Sequence, residues 1–323
     1  MLRIVDGPAV ASVLTVDMAI DAMETCFAME ADGRTGAAAR VDLPHSSGWM
    51  RVLPAVIEDL GVFGHKVISF NPDKGVRYVV TVFDIAAGGM VAVVDAESIT
   101  GARTGATAAV AADRMCRTGI SRSAIIGTGS VARTQLTALE AVRPVDETRV
   151  YSRSPENRRT FIAEMQPLVA ARLVECTSVD DAVDGADLVT LATKTPNAVF
   201  GERHLQPGMH VNSVGSARPP LHEVEAALFS RFDHVVCDSV ELVFAESGDA
   251  IAALDTFDVS RARDLAQVLG GIGRKVADTT LFKSSGTGAQ DLALTMAVLG
   301  ALGDDASRVV PDPLTLKAIT PAG

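Results

Sequence analysis

The sequence predicts an α/β fold in two parts: a parallel sheet wrapped by helices, and an α+β part assembled from both ends of the chain. Three observations predict it. From Ser121 onward, apolar runs alternate with helical stretches, the signature of βαβ units. A glycine turn, Gly127 to Ala132, falls between the first of these runs and the first helix. Before residue 96, the chain instead carries β-branched runs separated by Pro, Asp and Gly-Gly, the texture of an antiparallel meander.

Taken in order, "LRIV" reads as a short strand, and a helix begins at Thr15 in "TVDMAIDAMETCFAMEADG". Met18, Ala22, Phe27 and Met29 share one face of it, and Gly33 offers a stop. "FGHKVISFNPD", "YVVTVFDIAAGG" and "MVAVVDA" are the meander strands. The small, Ala-rich "SITGARTGATAAVAADRMC" predicts a close-packing helix that links the two parts. Six strands follow: "SAIIG", "TRVYS", "RLVEC", "ADLVTLAT", "MHVNSVG" and "HVVCDS". The tail "TLFKSSGTGAQDLALTMAVLGALG" holds a strand-like start, a Gly turn and an apolar helix that returns to the first part. The boundaries fall at residues 1–118 with 286–323, and 119–285.

A length of 323 residues suits two domains at about 150 residues each, and 48% hydrophobic with 21% charged residues is ordinary globular composition. The net charge of −11 opposes binding to nucleic-acid phosphates and points to a small-molecule partner. Cys26, Cys116, Cys176 and Cys237 form no C-x-x-C pair, and the six histidines show no ligand spacing, so neither metal nor disulfide framework is expected. With an aspartate at position 6 and no long apolar run, the expectation is a cytoplasmic protein without a membrane span.

Gly127, Gly129 and Ala132 read G-x-G-x-x-A between strand and helix, the context of a Rossmann dinucleotide-binding turn. The loop Gly127, Thr128, Gly129, Ser130, Val131 and Ala132 is therefore expected to hold a pyrophosphate at the helix N-terminus. Ala192 and Thr193, and Ser213, Val214 and Gly215, are the further cofactor-binding candidates at ends of later strands. The second strand ends not in a carboxylate but in Ser152, Arg153 and Ser154, with Arg158 beyond. This favours the 2′-phosphate of NADP(H) over NAD(H), the alternative being that the arginines are solvated surface charges. Outside this fold, Lys66 and Arg103 sit in small or apolar runs that would bury them, and a buried cation needs an anionic partner.

Four segments, in order, carry a resemblance: "GHKVISFNPDKG", "ITGARTGATAAVAADRM", "IIGTGSVA" and "LFKSSGTGAQDLA". The chain resembles the ornithine cyclodeaminase/mu-crystallin family over essentially its whole length. The resemblance implies a homodimer in which residues 1–118 and 286–323 form the substrate-binding and dimerisation domain and 119–285 the NAD(P)-binding domain. It also implies nicotinamide chemistry on an amino or imino acid whose carboxylate is held by Arg40, Arg103 and Lys66. The family's cyclodeaminases carry an aspartate after the strand corresponding to "HVNSVG"; Ala217 stands there in this chain. That pattern is closer to the ketimine-reductase branch.

Without that carboxylate, ring closure with ammonia loss lacks its general base unless Glu223 or Asp238 substitutes, and the plain reading of Glu223 is an early-helix charge. The leading expectation is reduction of a carboxylated imine, such as a pyrroline- or piperideine-2-carboxylate. Lys66, its pKa lowered beside two arginines, is the candidate acid. A cyclodeaminase with bound NAD, an alanine-dehydrogenase-like enzyme and a non-catalytic NADP-dependent binding protein are the alternatives.

Overall fold

The computed structural model describes residues 2–303 and the strand Arg308–Val310; the rest of the expected 286–323 segment lies outside the described residues. The described residues form two eight-stranded sheets that share no strand.

The first begins with β1 (Leu2–Val5), followed by α1 (Gly7–Val13) and α2 (Val16–Ala31). Thr15 caps α2 by accepting a hydrogen bond from the Met18 N–H at 3.1 Å. The buried face of α2 centres on Met23, Cys26 and Phe27, and Met18, expected on that face, is only half-buried. Then come β2 (Thr35–Ala37), β3 (Val41–His45), β4 (Gly48–Ile57), β5 (Val62–Asn71), β6 (Gly75–Asp84) and β7 (Met90–Asp95). Strands β4 to β7 form the expected antiparallel meander. β1 pairs parallel to β7, and Arg308–Val310 pairs antiparallel to the other side of β1.

Helix α3 (Glu97–Met115) connects the two sheets and is buried along most of its length. It packs on α4 (Ser130–Val142) at a distance only glycine permits: a Cβ on Gly105 would lie 2.4 Å from the Thr134 carbonyl oxygen.

The second sheet contains β8 (Arg122–Ile126), β9 (Glu147–Tyr151), β10 (Arg172–Glu175), β11 (Leu188–Leu191), β12 (His210–Ser213), β13 (His234–Cys237), β14 (Ala262–Asp264) and β15 (Thr280–Lys283). All are parallel, in the order β10-β9-β8-β11-β12-β15-β13-β14. Covering helices include α5 (Pro155–Met165), α6 (Val179–Val183), α7 (Val240–Glu246) and α8 (Gly248–Ala253). The order reverses between β8 and β11, where open parallel sheets bind ligands beyond their carboxyl ends.

The sequence suggested six strands here; two more are present. β14 is three residues at the edge with no apolar run to announce it. β15 is the "TLFK" start of the tail, and it stays in the second sheet between β12 and β13 because all four of its residues are buried, as a central parallel strand requires. Only the following helix, α9 (Gly288–Ala301), crosses back to pack on β4 and β5. Gly288 allows this, since a Cβ there would meet the Leu53 and Pro54 carbonyls at 2.7 and 2.8 Å. The last strand among the described residues is β16 (Arg308–Val310).

Candidate active site

The two conspicuous glycines of the β8–α4 turn do different work. Gly127 has φ +115°, and a Cβ on it would fall 2.3 Å from the Ala192 carbonyl at the end of β11, so the turn closes against the neighbouring strand only with glycine. Gly129 has no heavy atom within 4 Å of a Cβ position, which leaves the room a pyrophosphate needs before the α4 N-terminus. Ala132, on the first turn of α4, is fully buried. These residues fit a dinucleotide at the switch point.

After β9, the side chains divide. Arg158 is buried, donates to the Ser152 carbonyl at 2.7 Å, pairs with Glu175 at 3.0 Å and lies 5.8 Å over the Tyr151 ring. These contacts brace the loop after β9. The Ser154 hydroxyl caps α5 by accepting from the Asn157 N–H. Arg153 is exposed.

The three cations singled out in the sequence converge on the β15–α9 connection. Asp291, on the first turn of α9, bridges two of them: Oδ2 lies 2.6 Å from Lys66 Nζ and Oδ1 accepts from Arg103 Nε at 3.0 Å. Arg103 also donates to Gln290 Oε1 at 3.0 Å, and its guanidinium lies against Gly286, where a Cβ would fall 2.1 Å from Nη1. Arg40 donates to the carbonyls of Ser285 (2.9 Å) and Gly286 (3.3 Å) and is ion-paired with Glu246. Arg40 Nε and Ser285 Oγ are buried without a hydrogen-bond partner among the described residues.

Burial lowers the Lys66 pKa to about 7; the charges of Arg103 and Arg40 push the same way, and Asp291 opposes them. The expected direction is present, with burial rather than the arginines as the largest cause. His65 points to the other face of β5, toward Phe83. A cleft of about 380 Å³ is lined by Ser130 and Val131 at the start of α4 and by Tyr78 and Thr100. Thr100 Oγ1 lies 3.5 Å from Lys66 Nζ, while Lys66, Arg103, Arg40 and Asp291 do not themselves line this space.

Beyond β12, the carboxylates are already engaged. Glu223 is wholly buried in a loop, not at a helix start, which corrects the sequence reading. It accepts from the Thr193 N–H (2.6 Å) and hydroxyl (2.9 Å), the Ser213 hydroxyl (2.8 Å) and the Gly215 N–H (2.8 Å). It thereby ties the loops after β11 and β12 together. Lys283 Nζ donates to Ser213 Oγ at 2.8 Å and to Ser216 Oγ, and lies 3.2 Å from Asp249. Ser213 thus turns its hydroxyl into the protein. Asp238 accepts from the Ser284 hydroxyl, the Ser285 and Gly286 N–H groups and Gln290 Nε2.

Comparison with known proteins places this geometry. Residues 4–304 match the ornithine cyclodeaminase/mu-crystallin family. The chain belongs to that family. A Delta(1)-pyrroline-2-carboxylate reductase of Bacillus cereus is 30% identical over 254 residues, 75% of this chain and 78% of that protein. The ketimine reductase mu-crystallin of Rattus norvegicus is 30% identical over 260 residues, covering 78% and 80%. Among solved structures, the Delta(1)-pyrroline-2-carboxylate reductase of Thermococcus litoralis, in complex with NADH and L-proline, superposes with a TM-score of 0.89 at 25% identity over 95% of this chain and 100% of that one. The α/β architecture with a Rossmann-like parallel sheet is shared with such members of the family.

Sequence reasoning missed Asp291, which lies within the "LFKSSGTGAQDLA" segment it had singled out. The available signal was a lone carboxylate within the apolar helix "GAQDLALTMAVLGALG". Lys283, a charge at the end of a buried strand, was equally visible and equally passed over. Among the described residues, no helix is long and apolar enough to cross a membrane.

Proposed function

We propose that the protein reduces a carboxylated imine with NAD(P)H, the substrate class being cyclic ketimines such as pyrroline- or piperideine-2-carboxylate. The observation that carries this reading is the state of the carboxylates around Ala217. Glu223 and Asp238, the two groups able to replace the missing aspartate, are held by the protein's own donors, so neither is free to bind or deprotonate a second amine. The relatives that reduce Delta(1)-pyrroline-2-carboxylate and ketimines support the same choice.

In this reading Lys66, Arg103 and Arg40 hold the α-carboxylate, and Asp291 aims Lys66 and Arg103 at it. A nicotinamide held at the Gly127–Ala132 turn would supply the hydride for the imine carbon. Lys66, with its pKa near neutrality, delivers or shares the proton on the imine nitrogen, so that imine, NAD(P)H and one proton give amine and NAD(P)+. The loops fixed by Glu223, at Ala192–Thr193 and Ser213–Gly215, would help to hold the cofactor. The exposed Arg153, just after β9, would be free to meet a 2′-phosphate and so favour NADPH. Residues 1–118 and 286–323 serve as substrate and dimerisation domain, residues 119–285 as cofactor domain, in a cytoplasmic homodimer.

The test is oxidation of NADPH and NADH with preformed pyrroline-2-carboxylate, alongside ammonia assays on ornithine and lysine. Imine-dependent oxidation without ammonia release is expected, with NADPH preferred and that preference reversed toward NADH in Arg153→Glu. Ammonia release from ornithine with no net change in NAD would sink the reading.

A further inference from the structure

Two of the three clamp cations are held by a neighbour from their own half of the fold. Lys66 on β5 and Arg103 on α3 share Asp291 of α9, the helix that packs on β4 and β5. Arg40 is held differently. It lies between β2 and β3 of the first sheet, yet its partner Glu246 is the last residue of α7, which packs against β13 and β14 of the second. Glu246 grips both ends of the residue: Oε1 accepts from the Arg40 backbone N–H at 3.3 Å, and Oε2 is ion-paired with the guanidinium. The two side chains are only 8 and 11% exposed. A carboxylate at the end of a helix is opposed by the helix dipole, so nothing on α7 itself favours a charge there. Glu246 Oε2 and the carbonyls of Ser285 and Gly286 all meet Arg40 Nη2, whereas Nε has no hydrogen-bond partner among the described residues. The guanidinium is thus fixed through one nitrogen with another left for a ligand.

Glu246 is itself fastened to the loop after β12. Ser247, the next residue, donates to the Ser216 carbonyl and to Asp249 Oδ1, and Asp249 Oδ2 accepts from the Ser216 hydroxyl at 2.7 Å and the Glu223 N–H at 3.2 Å. Gly248 lies so close to this loop that a Cβ would fall 2.3 Å from the Pro219 carbonyl oxygen and 2.4 Å from that of Leu221. Glu223 in turn holds the N–H groups of Gly215 and Thr193, in the loops expected to meet the cofactor. Each step from those loops to Arg40 is therefore a direct contact or a peptide bond.

We propose that Glu246 is a positioning residue that couples the two ligands: it sets Arg40 from the second sheet, so that NAD(P)H and the carboxylated imine bind with positive cooperativity. The inference rests on the imine-reductase reading and adds to it how the site is assembled. A cofactor that stiffens the loops after β11 and β12 also stiffens Glu246, and the substrate carboxylate then meets an Arg40 whose ordering cost is already met. By linkage, each ligand must tighten the other by the same factor.

The experiment is calorimetry on the full-length protein with L-proline and L-pipecolate, each with and without saturating NADPH; acid and cofactor are both already reduced, so nothing turns over. Each acid is expected to bind about tenfold tighter with NADPH, and NADPH to gain the same factor from the acid. In Glu246→Gln that factor falls toward one and NADPH alone binds as before, while KM for pyrroline-2-carboxylate rises about tenfold and kcat changes less than about threefold. Glu246→Asp keeps the charge and recovers part of the factor; should Glu246→Gln not fold, this variant carries the test, a factor cut severalfold supporting the coupling and an unchanged one overturning it. If Glu246→Gln lowers only the urea midpoint, leaving the factor and KM as they were, the inference is overturned and the reductase reading stands. Tighter binding of the acids in Glu246→Gln would make Glu246 a competitor for Arg40 and overturn it equally. If no imine is reduced while NADPH still tightens the acids through Glu246, the coupling stands and the reductase reading falls. Absence of both acid binding and imine turnover overturns both.

Discussion

Lys66 and Lys283 are both fully buried, each beside an aspartate, yet they sit in opposite kinds of surroundings. Lys283 is enclosed by the hydroxyls of Ser213 and Ser216 and by Asp249, with Glu223 one hydroxyl further on. Asp249 is itself held below the usual carboxylate range: burial works against its ionisation, and Lys283 with the hydroxyls of Ser247 and Ser216 outweighs that effect. Burial pushes the Glu223 carboxyl up, with Lys283 and the Thr193 N–H opposing. The network is closed, with donors and acceptors answered inside the protein. Lys66 instead shares its only carboxylate with Arg103 and lies next to Thr100, which lines a cleft. The difference teaches that a buried charge whose partners are complete is scaffold, whereas one whose partner is shared is waiting for a ligand.

The largest expected contrast comes from removing each lysine. Lys66→Met is predicted to lower kcat/KM for the imine by at least about a thousandfold while the urea midpoint changes little, since the carboxylate clamp and the acid go together. Lys283→Met should do the reverse, destabilising the protein by about 3–5 kcal/mol by leaving Asp249 and Glu223 uncompensated. Equal loss of stability in both variants would erase the distinction.

A smaller effect appears in the pH dependence. Because Lys66 must carry its proton, kcat/KM for the imine should decline above about pH 7, once the ionisation of the imine itself is measured and removed. The linked effect on stability has the opposite sense. Between about 7 and the ordinary lysine value of 10.5 the unfolded chain holds a proton that the folded chain has lost, so this residue's contribution to stability increases with pH across that window. Lys66→Met should flatten both trends; an unchanged profile would remove Lys66 from the chemistry.

Smallest is the response to Glu223→Gln, which keeps the shape of the network and alters its charge. A loss of about 1–2 kcal/mol is expected, with a severalfold rise in KM for NADPH, because the donors from Thr193, Ser213 and Gly215 meet a weaker acceptor. A fall in kcat larger than the rise in KM would place Glu223 in the reaction rather than beneath it.

What the sequence determined by itself was the local and the periodic. The G-x-G-x-x-A turn, the meander, the Thr15 cap and the alternation of strand and helix are encoded within a few residues of each other, because turn geometry, capping and pleat are short-range properties. Lys66 and Arg103 were legible for a related reason: a cation in an otherwise small or apolar run signals burial. Which carboxylate meets them was not legible, since Asp291 is 225 and 188 residues away and arrives on α9, which the glycine at 288 lets lie closely on β4. The same holds for "TLFK", whose four buried residues assign it to a central strand only once β12 and β13 flank it, and for Glu223, whose charge reads as an exposed helix start until the fold closes over it. Tertiary structure alone decided which charges are satisfied and which are left for a ligand, because that balance is set between segments that the chain keeps far apart.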